Sequence, residues 1–213
     1  MKWRAWSYLF AIMLMWQNAQ AQSFTVGFGG GVALIEGKNN LAGDMSHLGS
    51  AFKPIYSVSG TVGYSPAGSS VNWTGGVSYF IMRGEGVTKS ELYSQLLNGE
   101  TTTRSHLLSL TIGPRWPLNP GPVSLVLGIH LVVDSFGDIT RNVKSAYGTS
   151  EYSISGGFSY GVGGIVGADV HLFPRVSLYI DAVFNLDTFL GGIYSPLYYC
   201  TVGANGGIRL TID

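Results

Sequence analysis

The chain has 213 residues, a formal net charge of zero and 11% charged residues, less than half the share of about 25% usual in soluble domains. That balance excludes a basic nucleic-acid-binding surface. The single cysteine, Cys200, excludes an intrachain disulfide and a cysteine-built zinc site.

The first 21 residues have the form of a cleaved secretory signal. Lys2 and Arg4 open it, an apolar run covers Ala5 to Trp16, and Ala19-Gln20-Ala21 has the small-x-small cleavage pattern. The apolar run is too short for a spanning helix, which needs about 20 residues. Residues 22–213 are then expected to form one domain.

From Phe24 onward the sequence alternates with period two. Strands are expected at 24–34, 54–64, 71–83, 104–116, 123–134, 153–170, 176–187 and 198–212, each bounded by Gly, Pro, Asn or Asp clusters. The links 65–70, 117–122 and 171–175 are short and each contains proline. The links 35–53, 84–103, 135–152 and 188–197 are long. Strict alternation puts all long loops at one end of an up-and-down sheet and both termini at the other. Within the second long loop, Ser90 could cap a short helix through Asn98, ended by Gly99.

The two faces of these strands differ. One carries large apolar groups: Phe24, Phe28 and Val32 in the first strand, Leu125, Ile129 and Val133 in the fifth, Leu178, Ile180 and Phe184 in the seventh. The other is small or polar, with Gly27, Gly29 and Gly31, then Ser57, Ser59 and Thr61, then Thr74, Gly76 and Ser78. The second set cannot form an oily core. If the first set pointed inward, it would overcrowd an eight-stranded cylinder. Pointing outward, it faces lipid, and closure leaves no backbone group unpaired in hydrocarbon. A soluble lipid-binding barrel is the reverse arrangement.

Aromatic residues fall into two belts, as expected where amphipathic rings meet headgroups. Tyr64, Trp73 and Trp116 lie beside the short turns. Tyr56, Tyr79, Phe158, Tyr160, Phe184 and Tyr198 lie toward the long loops.

This pattern resembles the small outer-membrane β-barrels of the OmpA transmembrane-domain and OmpX type, and the broad outer membrane protein beta-barrel domain group. The resemblance implies an all-β, eight-stranded antiparallel up-and-down transmembrane barrel in the outer membrane of a Gram-negative-type cell, with periplasmic termini. It also implies outer-membrane lipid and the outer-membrane insertion machinery as partners. Such barrels commonly end in an aromatic residue, whereas this chain ends Ile208-Arg209-Leu210-Thr211-Ile212-Asp213.

Six charges fall on the small, polar face: Arg115, Asp134, Asp169, Asp181, Asp187 and Arg209. In a narrow lumen they must pair, because unpaired burial is costly. A structural ion-pair network is the expected role, and an ion-selective constriction is the alternative. His130 shares that face and is expected to be a satisfied lumen group. His106 falls near the outer lipid interface, where a barrel enzyme acting on outer-leaflet lipid would need a base. No carboxylate stands at a spacing that would orient its ring, so no catalytic residue is expected. Nor is a metal or cofactor. The expected role is non-enzymatic: envelope structure or surface contact through the long loops.

Overall fold

The structure is a computed structural model, and it describes residues 22–38, 55–88, 99–119, 121–146, 148–190 and 197–212. The described residues form ten strands: β1 (Ser23–Lys38), β2 (Ile55–Ser65), β3 (Asn72–Thr88), β4 (Gly99–Pro117), β5 (Val123–Phe136), β6 (Ile139–Ser145), β7 (Gly148–Ile154), β8 (Gly157–Phe173), β9 (Val176–Leu190) and β10 (Leu197–Ile212). Eight of them close a ring in the order β1-β2-β3-β4-β5-β8-β9-β10, with β10 returning to β1; every pairing is antiparallel. The barrel is the expected eight-stranded up-and-down barrel. The proposed signal segment, 1–21, lies outside the described residues.

Its geometry follows from the register. Partners followed once around the ring lead from Leu107 through Phe80, Ser57, Gly31, Asn205, Asp181, Gly167 and Val126 to Pro117, ten residues along β4 from the start. With a rise of ~3.3 Å per residue and ~4.7 Å between strands, that stagger over eight strands tilts each by about 41°. The 11-residue strand β2 then covers about 27 Å of axis, close to the ~25 Å apolar band of outer-membrane barrels.

Turn chemistry sets the short end. Between β2 and β3, the Ser69 amide donates to the Pro66 carbonyl at 3.1 Å, and Gly68 takes the positive φ of 68° that the turn needs. Between β4 and β5, Asn119 accepts from the Leu125 amide at 2.8 Å and donates to the Val123 carbonyl at 2.9 Å.

The long-loop end departs from expectation. Residues 84–88 and 99–103, expected as loop, continue β3 and β4, pairing from Gly84↔Thr103 to Thr88↔Gly99. The loop expected at 135–152 is largely the β6–β7 hairpin, and β6 also pairs with β4. The helix expected over 90–98 lies outside the described residues, while Gly99, its expected end, begins β4. Together the ends of β3 and β4 with β6 and β7 form a four-stranded blade standing beyond the barrel rim. At the junction, Leu107 opposes Phe136 but Arg104 opposes Thr140. One extra residue therefore sits on the β5–β6 side, a bulge at Gly137–Asp138 of the kind that bends a sheet. It is tied down where the Gly137 amide donates to the His106 carbonyl at 2.9 Å and Asp138 accepts from the Gly156 amide at 3.0 Å.

Sidedness is unambiguous. Along β5 every second residue from Val123 to Val133 is exposed and each one between is buried. Ile129 and Leu131, mid-strand, are 60% and 61% exposed. An apolar wall of this kind encircles the barrel, since every barrel strand contributes exposed large hydrophobics. The soluble alternative, with this face inward, is overturned.

Candidate functional site: a layered lumen

The lumen faces the short-turn end with charge. Arg115 of β4 meets Asp181 of β9 through two parallel hydrogen bonds, Nη1 to Oδ2 at 2.8 Å and Nη2 to Oδ1 at 2.9 Å. Arg209 of β10 donates to the same Asp181 at 3.1 Å and to Asp169 of β8. Its guanidinium also lies 4.1 Å from the ring centre of Tyr179, a cation–π contact. Thus one carboxylate bridges two guanidinium groups, and the fork geometry of arginine makes the bidentate half specific. Four of the six charges singled out by sequence, Arg115, Asp169, Asp181 and Arg209, come together here.

Glycines on neighbouring strands make room for these groups. A Cβ at Gly167 would come within 2.2 Å of Asp181 Oδ1, and one at Gly29 within 2.3 Å of the Tyr179 hydroxyl. The glycine cluster of β1 is therefore space for lumen side chains.

Above this layer lies a polar cavity of about 80 Å³. His130 Nε2 meets Asn185 Oδ1 there at 2.7 Å. The His130 Nδ1, the Ser59 hydroxyl and the Tyr179 hydroxyl have no protein partner. All three residues line the cavity, which is several times the ~10–15 Å³ that one water centre requires.

The long-loop end of the lumen is different. Ala33, Ile55, Phe80, Met82 and Leu107 form a buried apolar cluster with Phe136 packed against it. They sit on lumen-facing positions of β1 to β5, so the lumen face is not uniformly small and polar as the sequence suggested. The alternation itself carried the signal, because Phe80 and Met82 share parity with Ser78, and Leu107 with Ser109. On the same lumen face stand Asp134 of β5, two residues from Phe136, and Asp187 of β9, each 2% exposed. The structure separates these two from the four-residue ion cluster.

On the outer wall, Tyr56, Trp73, Tyr79, Phe158, Tyr160 and Phe184 are exposed. Tyr64 and Trp116 are half-buried, with Tyr64 against Phe24 at 5.1 Å between ring centres. Tyr198 lies in β10, its side chain outside the description. His106 also points outward and has an orienting group the sequence did not reveal. The Tyr79 hydroxyl lies 2.8 Å from its Nδ1, and the rings stack at 5.6 Å. Tyr79 is the diagonal neighbour across the β3–β4 register, which spacing along one strand cannot show. Among the described residues no three His, Cys, Asp or Glu side chains converge as a metal site.

The same architecture occurs in solved structures. Neisserial surface protein A matches with 16% identity over 88% of this chain and 96% of its own, at a TM-score of 0.50. The outer membrane protein OprG from Pseudomonas aeruginosa matches with 10% identity over 91% of this chain and 97% of its own, at a TM-score of 0.51. The fold is that of the small eight-stranded outer-membrane barrels. At these identities the likeness is one of fold alone. No protein-family model and no curated protein matches the sequence.

Proposed function

We propose that this chain is a non-enzymatic, non-conducting barrel of the outer membrane, its termini in the periplasm, working as a surface-contact protein through the blade formed by β3, β4, β6 and β7. One observation carries this reading: the lumen is obstructed at two levels while ordered sheet projects beyond the rim. The Arg115–Asp181–Arg209–Asp169 cluster crosses one end and the Phe80–Leu107 cluster fills part of the other. In this reading the ion cluster is a structural brace.

The blade suits contact. It exposes Glu100, Arg104, Lys144 and Glu151, and among the described strands β7 ends the sheet beside β6. An edge strand of this kind offers unpaired backbone donors and acceptors to an extended partner segment. Among the described residues the partner of His106 is Tyr79, by hydrogen bond and ring stacking, which favours a packing role over a catalytic one.

Two measurements test the proposal. Purified protein in planar lipid bilayers is expected to give no discrete conductance steps; reproducible steps altered by Arg115→Ala would favour the channel reading. Replacing residues 139–154 with a short turn is expected to leave a heat-modifiable barrel while removing binding of cells to host or neighbouring surfaces. Unchanged binding would reject the blade as the contact element.

A further inference from the structure

The outer wall carries a pair of charges that the brace does not use. Arg83 of β3 and Arg104 of β4 are register partners, so two guanidinium side chains start from directly opposed positions. Both residues are exposed. They also share the outward parity: Arg83 continues the series Trp73, Val77, Tyr79 and Ile81, and Arg104 continues Leu110, Leu108 and His106. Neither arginine side chain has a hydrogen-bond or ion-pair partner among the described residues. In the adjoining bulge, the Asp138 carboxylate accepts from the Gly156 amide. Like charges placed directly opposite on a sheet repel, so this pair favours an anion held between them.

Height on the barrel decides which anion. Arg83 stands ten residues beyond Trp73 along β3. At the strand tilt set by the register, that is about 25 Å of axis, the same as the ~25 Å height of the apolar band in outer-membrane barrels. Trp73 therefore marks one margin of the band and the two arginines mark the other. Between these margins the outward residues of β3 and β4 include no ionisable group besides Tyr79 and His106. An outward arginine is costly at the bilayer midplane and nearly free of cost at headgroup level. The anions at that level are lipid phosphates. The planar fork of arginine matches phosphate oxygens two at a time. His106 adds a donor one outward position below Arg104. With its Nδ1 accepting from the Tyr79 hydroxyl at 2.8 Å, the ring N–H is at Nε2.

We propose that Arg83 and Arg104, with His106 beside them, hold the phosphate of an anionic lipid headgroup on the outer wall, at the rim where the barrel passes into the blade. The bound headgroup clamps β3 to β4 at the base of the blade. That this lipid belongs to the outer leaflet rests on the proposed periplasmic termini; the headgroup chemistry does not.

The test uses the full chain refolded in a non-ionic detergent, with native mass spectrometry as the readout of bound lipid. The probes are dioleoyl phosphatidic acid, dioleoylglycerol, which has the same chains and no phosphate, and inorganic phosphate. One phosphatidic acid per chain is expected to bind at least tenfold more tightly than either of the other two. Arg83→Gln combined with Arg104→Gln is expected to weaken that binding at least tenfold, while keeping the heat-modifiable gel shift of a folded barrel. Arg175→Gln, which removes an exposed cation at the opposite rim, is expected to leave it unchanged. Undiminished binding in the folded double variant would overturn the site. An equal loss with Arg175→Gln would do the same, because it would reduce the effect to general charge attraction. Should the double variant misfold, the unaltered protein still decides. Equal retention of dioleoylglycerol would mean that the acyl chains alone hold the lipid, and equally tight inorganic phosphate would mean that free phosphate is the ligand; either overturns the proposal. The readout involves neither conductance nor cell contact, so its failure is distinguishable from failure of the proposed function.

Discussion

The two ends of the lumen solve the same problem by different means. Toward the short turns, charge is matched to charge: Asp181 accepts from two arginines, and the second arginine also reaches Asp169 and the Tyr179 ring. Toward the long loops, Ile55, Phe80, Met82 and Leu107 pack together, and two acidic groups, Asp134 and Asp187, are buried as well. The contrast teaches that a narrow barrel need not have a uniform interior. Ion pairs span the short-turn end, where each charged group has a partner on another strand. Hydrocarbon fills part of the end beyond which the blade rises.

This contrast can be broken from either side. Asp181→Ala strands the buried Arg115 guanidinium and leaves Arg209 with Asp169 alone; it is expected to cost about 4 kcal/mol, read as a lower urea midpoint for unfolding from lipid vesicles. A loss below 1 kcal/mol would mean that the cluster does not brace the barrel. Leu107→Ala leaves a cavity in the apolar layer and is expected to cost about 3 kcal/mol in the same assay. Its ion cluster should remain intact, so combining it with Asp181→Ala should give additive losses. Strong non-additivity would show that the two layers are coupled. Tyr79→Phe removes one exposed hydrogen bond to His106 on the outer wall. It is expected to cost about 0.5–1 kcal/mol and to leave envelope lipids unchanged in mass spectra; a changed lipid profile would revive a chemical role for that histidine.

The barrel was legible because lipid on one side and a filled lumen on the other impose period-two alternation on every strand. Strand ends toward the long loops were not. Beyond the rim the lipid no longer imposes alternation, so Gly84, Glu85 and Gly86 look like loop even while paired. The β-branched run Thr101, Thr102 and Thr103 was a usable signal for continued strand. The charges that face inward were identifiable by parity, but their partners were not. Arg115 and Asp181 lie 66 positions apart on strands separated by β5 and β8, and only the stagger around the ring brings them level. The apolar layer was missed although its residues alternate correctly, because the inward face was judged by its majority of serine, threonine and glycine.

The continuity of β3 and β4 has a mechanical consequence. Each runs without a break from the short-turn rim to the far end of the blade, over 17 and 19 residues. A partner tugging outward on that projection therefore pulls along the strands and loads many rungs of the ladder together, instead of peeling them apart one by one. A handle forged in one piece with its anchor resists detachment far better than one joined by a flexible cord.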